Sequence, residues 1–452
     1  MSGVLQFAKE ARTGALVCLL VLTPLARGST PRWALAGAAW LALAGLSALV
    51  LRRIYDRRPP LPENPLQWPL LALLAVALTS ALFSILPSAS FWALIRLGLY
   101  IGVFYLTLET ARDRHRIRWL VWLVMGVASF LCLLGLIKYL GGPVPVFWAY
   151  SVPDQAGFLT STFLNHNHLA GYLEMVFCLG LGLLACGAAP VRPLWIGLLI
   201  LIMMTFVLTM SRGAYISLSL ALLLMGLLWA RKWKVGRTKI MAVGLVLVVV
   251  VVAVFLSSDP AAERIQSLEN LNEPSWMSRV MVWKGTLRLI GDHPWLGTGP
   301  GTFPWSFPAY RPPGLSLRFL ETHNDYLQAV SEQGLWVMIP LIWGLVILFR
   351  EGLVVYFRTT SRLFSGLALG GTCALAAILV HSGGDFNLQI TSNGVLFSFV
   401  AGLVVAARRF HQESGLRREA LKAENEIPFV LLDASGEKVF HDEEQEPEGS
   451  AG

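Results

Sequence analysis

Three short stretches of this 452-residue sequence concentrate side chains suited to proton transfer and polar contact. The stretch THNDYLQAVSEQG (322–334) crowds His323, Asn324, Asp325, Gln328 and Glu332 at the mouth of an apolar run. Asp325 and Glu332 stand seven residues apart, which on a helix puts them on one face, two turns apart. A second stretch, HSGGDFNLQI (381–390), offers His381, Asp385 and Asn387, and a third, NHNH (165–168), opens another apolar run. Imidazole titrates near neutral pH and suits a general base. Ionisable groups at the end of a membrane span are costly unless they face a cavity, so these clusters point to a site. The plainer reading is interfacial polarity, with Asp325 acting near a helix N-terminus. In NHNH no carboxylate or third ligand adjoins the two histidines, so the spacing does not describe a metal site.

Cations form a second group. The segment 258–325 carries Arg264, Arg279, Lys284, Arg288, Arg311 and Arg318, and Arg212 sits at a separate turn. Guanidinium forks match phosphate oxygens. Long loops also translocate regardless of charge, which suffices for Arg264 and Arg318. Between Ser275 and Ile290, the residues Trp276, Val280, Trp283, Leu287 and Ile290 recur at helical period, describing an amphipathic helix in the membrane interface. At about 100° per residue, Arg279 flanks one edge of that stripe, and Lys284 and Arg288 flank the other. The run GDHPWLGTGPGTF (291–303) has neither the G-K-[ST] of a P-loop nor a G-x-G-x-x-G fingerprint, and it reads as a tight turn after a helix ending near His293.

Membrane spans must position these pieces. The chain is 55% hydrophobic and 14% charged, whereas soluble domains carry about a quarter charged residues. Its 16 Trp and 23 Phe exclude a disordered chain. Apolar runs near 13–27, 33–51, 68–86, 91–108, 118–139, 167–187, 193–210, 213–230, 240–257, 326–349, 364–381 and 391–407 predict about twelve transmembrane helices. Basic residues fill alternate connections: Arg52, Arg53, Arg57 and Arg58, then Arg112 to Arg118, Arg192, Arg231 to Lys239, and Arg350 to Arg362. The intervening connections 87–90, 140–166 and 382–390 carry none. That alternation predicts cytoplasmic termini and one large outer loop, 258–325. From Gln412 the chain holds 11 acidic and 4 basic residues, so 412–452 reads as an acidic, disordered cytoplasmic tail behind a membrane domain, 1–411. The strongly basic body indicates positive-inside loops, not nucleic-acid binding. Cys18, Cys132, Cys178, Cys186 and Cys373 lie in apolar runs and read as small core hydrophobes. The apolar run Gly14–Leu25 lacks a clear cleavage site and reads as a retained first span.

Five pieces, in order, resemble the O-antigen ligase and polymerase superfamily: FLNHNHLAGYLEM (163–175), SRGA (211–214), SRVMVWKGTLRLIGDHPWLGTGPGTF (278–303), HNDYLQ with E-x-G (323–334) and HSGGDFNLQI (381–390). The likeness covers roughly 160–400; the first five spans are generic. It implies an all-α polytopic membrane protein of the bacterial inner membrane, acting without metal or cofactor at its periplasmic face. It further implies an undecaprenyl-diphosphate-linked glycan as donor, a glycan or lipid A-core-like hydroxyl as acceptor, and surface polysaccharide biosynthesis as the setting. Arg212 would be the family's turn arginine, Arg279 its outer-loop arginine and His323 its loop histidine. On that reading, Arg212 and Arg279, with Lys284 or Arg288, hold the diphosphate. His323 deprotonates the acceptor, and attack is direct and inverting. Asp325 or Glu332 orients His323 or binds acceptor hydroxyls, and His381 and Asp385 complete the substrate contacts. Some relatives carry a bicarbonate-transport description, so a solute transporter is the alternative. A transporter would show ionisable residues buried mid-span and helices broken at corresponding places in two halves. Only Arg96 and Glu174 are candidates for the former.

The alternating charges make a direct prediction. Reporter fusions at Arg237 and Ser306 should report opposite compartments; the same compartment for both would sink the twelve-span topology.

Overall fold

The computed structural model describes residues 2–150, 157–233, 276–315, 318–425, 431–432 and 438–439. The chain divides into two units, 1–408 and 409–452. The first unit is helical, and its long elements are α1 (Ser2–Leu25), α2 (Arg32–Tyr55), α3 (Gln67–Leu82), α4 (Pro87–Thr110), α5 (Arg114–Tyr139), α6 (His166–Ala185), α7 (Arg192–Leu208) and α8 (Arg212–Trp233). Then follow α9 (Trp276–Asp292), α10 (Asp325–Gln333), α11 (Met338–Arg358), α12 (Arg362–His381) and α13, which begins at Thr391 and runs to Asn425. Among the described residues, eight helices are long and apolar enough to cross a membrane, and α3 and α7 are shorter apolar helices. The predicted ninth span, 240–257, and Arg264 lie outside the described residues.

Local sequence explains where the site-bearing helices begin. The Asn165 side chain accepts from the Asn167 N–H at 2.7 Å and starts α6. Asn324 accepts from the N–H groups of Tyr326 and Leu327 at 3.0 and 2.9 Å and starts α10. Each satisfies donors that the first helical turn leaves without a partner.

Glycine then sets the closest packing. α6 and α12 form the most extensive helix pair, and α12 also lies against α8 and α11. Gly182 faces Gly370 so closely that a Cβ at 182 would stand 2.4 Å from its backbone. Small residues let membrane helices approach in this way, where apolar side chains gain nothing over lipid.

Three features correct or add to the expectations. The tenth span does not begin at 326: α10 ends at Gln333, Gly334 turns the chain, and the membrane-length helix runs over Leu335–Arg358. The break arises because Gly334 adopts φ 75° and ψ 177°, a region essentially reserved for glycine. Second, α9 also has an inward-packed face, Val282, Gly285, Thr286 and Leu289, distinct from the outward Trp276–Leu287 stripe. That face closes a small core with Phe303, Phe307, Leu315 and Phe319, while Trp276 and Leu287 stay exposed. Third, residues 412–425, expected to lack structure, continue α13; the stretch GLRREALKAE is rich in strong helix formers. The second unit also holds a two-residue antiparallel pair, Leu431–Leu432 with Lys438–Val439.

The turn at 334 generates a stability prediction. A Cβ there would stand 2.0 Å from the Trp295 carbonyl oxygen, and the backbone geometry alone costs a side-chain-bearing residue about 1–3 kcal/mol. Gly334→Ala should therefore sharply lower the yield and melting temperature of purified protein. A variant as stable as the parent would contradict this reason for the helix break.

Candidate functional site

Five elements meet at one end of the helices. α6 begins there with His166 and His168, and α8 begins there with Arg212. α12 ends there at His381, and the loop 382–390 crosses to α13. The segment 322–333 is stitched to that loop. The Asp325 N–H donates to the Ser382 carbonyl at 2.9 Å, Asn324 Nδ2 donates to the Gly383 carbonyl at 2.9 Å, and the Leu388 N–H donates to Asp325 Oδ2 at 2.9 Å. Asn393 Nδ2 ties the loop inward, donating to the His168 carbonyl at 3.0 Å and to Asn387 Oδ1 at 3.1 Å.

Asp385 is the focus. Its side chain is 2% exposed, with His323 Nδ1 3.3 Å and His168 Nε2 3.9 Å from Oδ1. Arg279 reaches across from α9: Nη2 stands 3.9 Å from Asp385 Oδ2, and Nη1 donates to the Gly384 carbonyl at 2.7 Å. The Phe386 ring lies edge-on to both histidines, at 4.6 and 4.8 Å. Burial alone would raise the Asp385 pKa, but the approach of His323 and the charge of Arg279 hold it well below the usual carboxylate range. The carboxylate is therefore ionised at neutral pH. His323 itself sits at φ 52°, a left-handed backbone unusual for a non-glycine residue.

A second polar chain runs from the cluster into the helices. His381 Nδ1 lies 3.1 Å from Glu174 Oε1, and Glu174 Oε2 accepts from the Ser217 hydroxyl. All three residues are buried.

The remaining expected residues divide clearly. Arg212 is exposed at the start of α8. It adjoins Gly213, where a Cβ would stand 3.2 Å from the His381 ring, so Arg212 shares this end of the molecule. Lys284 and Arg288 are exposed, turned about 140° and 180° around α9 from Arg279, and do not join the cluster. Asp325 faces Leu388, and the carboxylate beside His323 is Asp385. Glu332 accepts from the N–H groups of Gly301 and Phe303 at 2.6 and 3.2 Å. It thereby holds the glycine-rich turn 297–303 against α10.

Beneath the cluster, a cavity of about 380 Å³ opens among α3, α4, α11 and α13. Its walls are apolar, with Leu70, Leu73, Leu97, Phe104 and Leu345, and its polar end carries Arg96, Tyr100, Asp325, Glu332 and Gln389. Arg96 Nη1 donates to the Gln389 backbone carbonyl at 2.9 Å, and Nη2 donates to the side-chain oxygen of the same residue.

Sequence reading did not anticipate the roles of His168, Glu174, Arg96 and Gln389. The signal for Glu174 and Arg96 was present: an ionisable residue in an apolar run requires a partner. The partners, His381 and Gln389, come from distant segments.

The fold and the cluster define a polytopic helical membrane protein with a His–Asp–Arg centre around the buried Asp385 at one end of its helices. Residues 197–342 match the family model described as O-antigen ligase. The match is a likeness of that segment to the O-antigen ligase family. The matched segment holds Arg212, Arg279 and His323, while His168, His381 and Asp385 lie outside it. A comparison with curated proteins returns no match.

Two carboxyls outside the spans predict a pH dependence of stability. Burial pushes Asp325 up to about 7, and burial with the nearby Glu321 pushes Glu332 up to about 7. Their stabilising contribution is complete below the ordinary carboxylate range and is lost as pH rises through about 7. Purified protein should melt at a higher temperature near about pH 5 than near about pH 8, and Asp325→Asn should reduce that difference. A parent melting temperature that climbs over the same interval would contradict the burial argument.

Proposed function

We propose that the protein transfers a glycan from an undecaprenyl-diphosphate carrier to an acceptor hydroxyl at the periplasmic face of the bacterial inner membrane, by direct inverting displacement. The observation that carries this reading is the His323–Asp385 pair beside Arg279. Asp385 engages Nδ1 of His323, which leaves Nε2 as the nitrogen that takes the acceptor proton. An ionised partner also stabilises the imidazolium formed in that step. The acceptor oxygen then attacks the anomeric carbon, the bond to the carrier phosphate breaks, and the diphosphate leaves with the electron pair. Arg279 and Arg212 supply the positive charge that offsets this developing anion.

The apolar cavity with a polar end supports a lipid-linked donor, since it offers a hydrocarbon-lined path next to the loop that carries Asp385. Asp325 and Glu332 act as framework: one secures the 382–390 loop, and the other secures the turn 297–303. Lys284 and Arg288, exposed on the other side of α9, are placed to meet lipid phosphates. Glu174 lies within a span, as a transporter would require, yet it pairs with His381 and prolongs the cluster inward. That arrangement supports the enzyme reading over a separate mid-membrane solute site.

Two substitutions test the assignment. His323→Ala should lower transfer by about a hundred- to ten-thousandfold while purified protein still binds the lipid-linked donor. Loss of donor binding with turnover preserved at saturation would instead make His323 a binding cation. Arg279→Lys and Arg212→Lys should each remove most activity, because a point charge lacks the guanidinium fork, whereas Arg318→Lys should be neutral. Equal tolerance at all three positions would remove the diphosphate clamp.

A further inference from the structure

At the other end of α4, three guanidiniums converge on one carboxylate. Glu109 lies thirteen residues beyond Arg96 on α4, about 20 Å along the axis. Arg12 Nη1 of α1 donates to Glu109 Oε1 at 2.7 Å, Arg53 Nη1 of α2 donates to Oε2 at 3.2 Å, and Arg112 pairs with Oε1 from just past α4. Arg12 and Glu109 are each 1% exposed. Arg52 lies near enough for its charge to bear on Arg12, and its Nε stands 3.7 Å from Asp56 Oδ2.

The charges do not balance. Among the described residues, one buried carboxylate faces two buried guanidiniums, Arg12 and Arg53, with the partly exposed Arg52 and Arg112 beside them, and an uncompensated buried cation is costly. Hydrogen bonding leaves a remainder as well: Arg12 Nε and Arg52 Nη1 are buried without a hydrogen-bond partner, and Arg52 Nε has only the longer ion pair with Asp56. An acceptor-only group with several oxygens, able to take guanidinium forks from more than one direction, would correct both shortfalls. A phosphate is such a group.

The surroundings favour a phosphate that carries hydrocarbon chains. The last turns of α2, which hold Arg52 and Arg53, also present Leu51, Ile54 and Tyr55 outward at 67%, 57% and 50% exposure. Apolar side chains beside a basic helix end match acyl chains below an anionic headgroup, and basic pockets between helix ends are known to take such headgroups. We infer that the Arg12–Arg52–Arg53–Arg112 cluster around Glu109 binds the phosphate of an anionic phospholipid, at the end of the bundle opposite His323. The bound phosphate would join α1, α2 and α4 where a single carboxylate now does.

The test uses the full chain in detergent with phosphatidylglycerol and phosphatidylcholine as probes, read by native mass spectrometry. The parent should retain phosphatidylglycerol about tenfold or more over phosphatidylcholine. Arg52→Gln with Arg112→Gln should bring the ratio to within about twofold, while Arg57→Gln with Arg58→Gln, on the neighbouring loop, should keep it. Asp56→Asn, which removes the carboxylate facing Arg52, should hold or raise the ratio and serves as the variant that does not disturb Glu109. A parent without preference overturns the inference. So does an equal loss from the Arg57 and Arg58 pair, which would mean diffuse surface charge. Complete displacement of the lipid by millimolar inorganic phosphate would assign the cluster to a free anion instead, and a ratio lowered by Asp56→Asn would likewise refute the lipid site.

Discussion

The carboxylate of Asp385 is buried among apolar helices, and a charge in that position persists only where other groups pay for its desolvation. His323 and Arg279 do so from two different elements, neither of which is adjacent to it in sequence. Removing the carboxylate would leave Arg279 holding the Gly384 carbonyl and His323 without its carboxylate partner. The interaction is thus both an electrostatic anchor for the loop regions and the device that selects which imidazole nitrogen faces outward.

Much of the surrounding structure keeps that carboxylate in place. The close α6–α12 contact at Gly182 and Gly370 fixes the helix whose end carries His381 and whose following loop carries Asp385. The 322–333 segment is hydrogen-bonded to the same loop through Asn324 and Asp325. Glu332 in turn fastens the glycine-rich turn, whose Gly299 N–H donates to the Glu332 carbonyl at 2.8 Å. The reactive groups therefore sit on loops, but each loop is tied to a packed helix, which is how a mobile type of segment acquires a defined geometry.

Local features of this arrangement were legible in the sequence. The helices follow from long apolar runs, and the clusters at 165–168, 322–334 and 381–390 stand out as polar groups at span ends. What was not legible was pairing between clusters. Asp325 and Glu332 were the carboxylates nearest His323 in sequence, yet Asp385 is the one that meets it, because contact depends on how α12 ends against α6. The helix break at Gly334 was hidden by apolar residues on its far side, which extend the run smoothly. On α9, period alone selected the stripe with the larger aromatic side chains. The inward-packed face uses Gly285 and Thr286, small residues that let the Phe303–Phe307 segment approach.

The central claim is that an ionised Asp385 orients His323 as the acceptor-activating base. The most direct measurement is the dependence of transfer rate on pH for the parent and for Asp385→Asn, with purified enzyme and a defined polyprenyl-diphosphate-linked donor. A base that must be neutral gives a parent rate that rises through the histidine range to a plateau, and the asparagine variant should lower that plateau by about a hundred- to ten-thousandfold with donor binding retained. A parent rate that declines steadily with rising pH, or a variant with the parent's turnover, would contradict it.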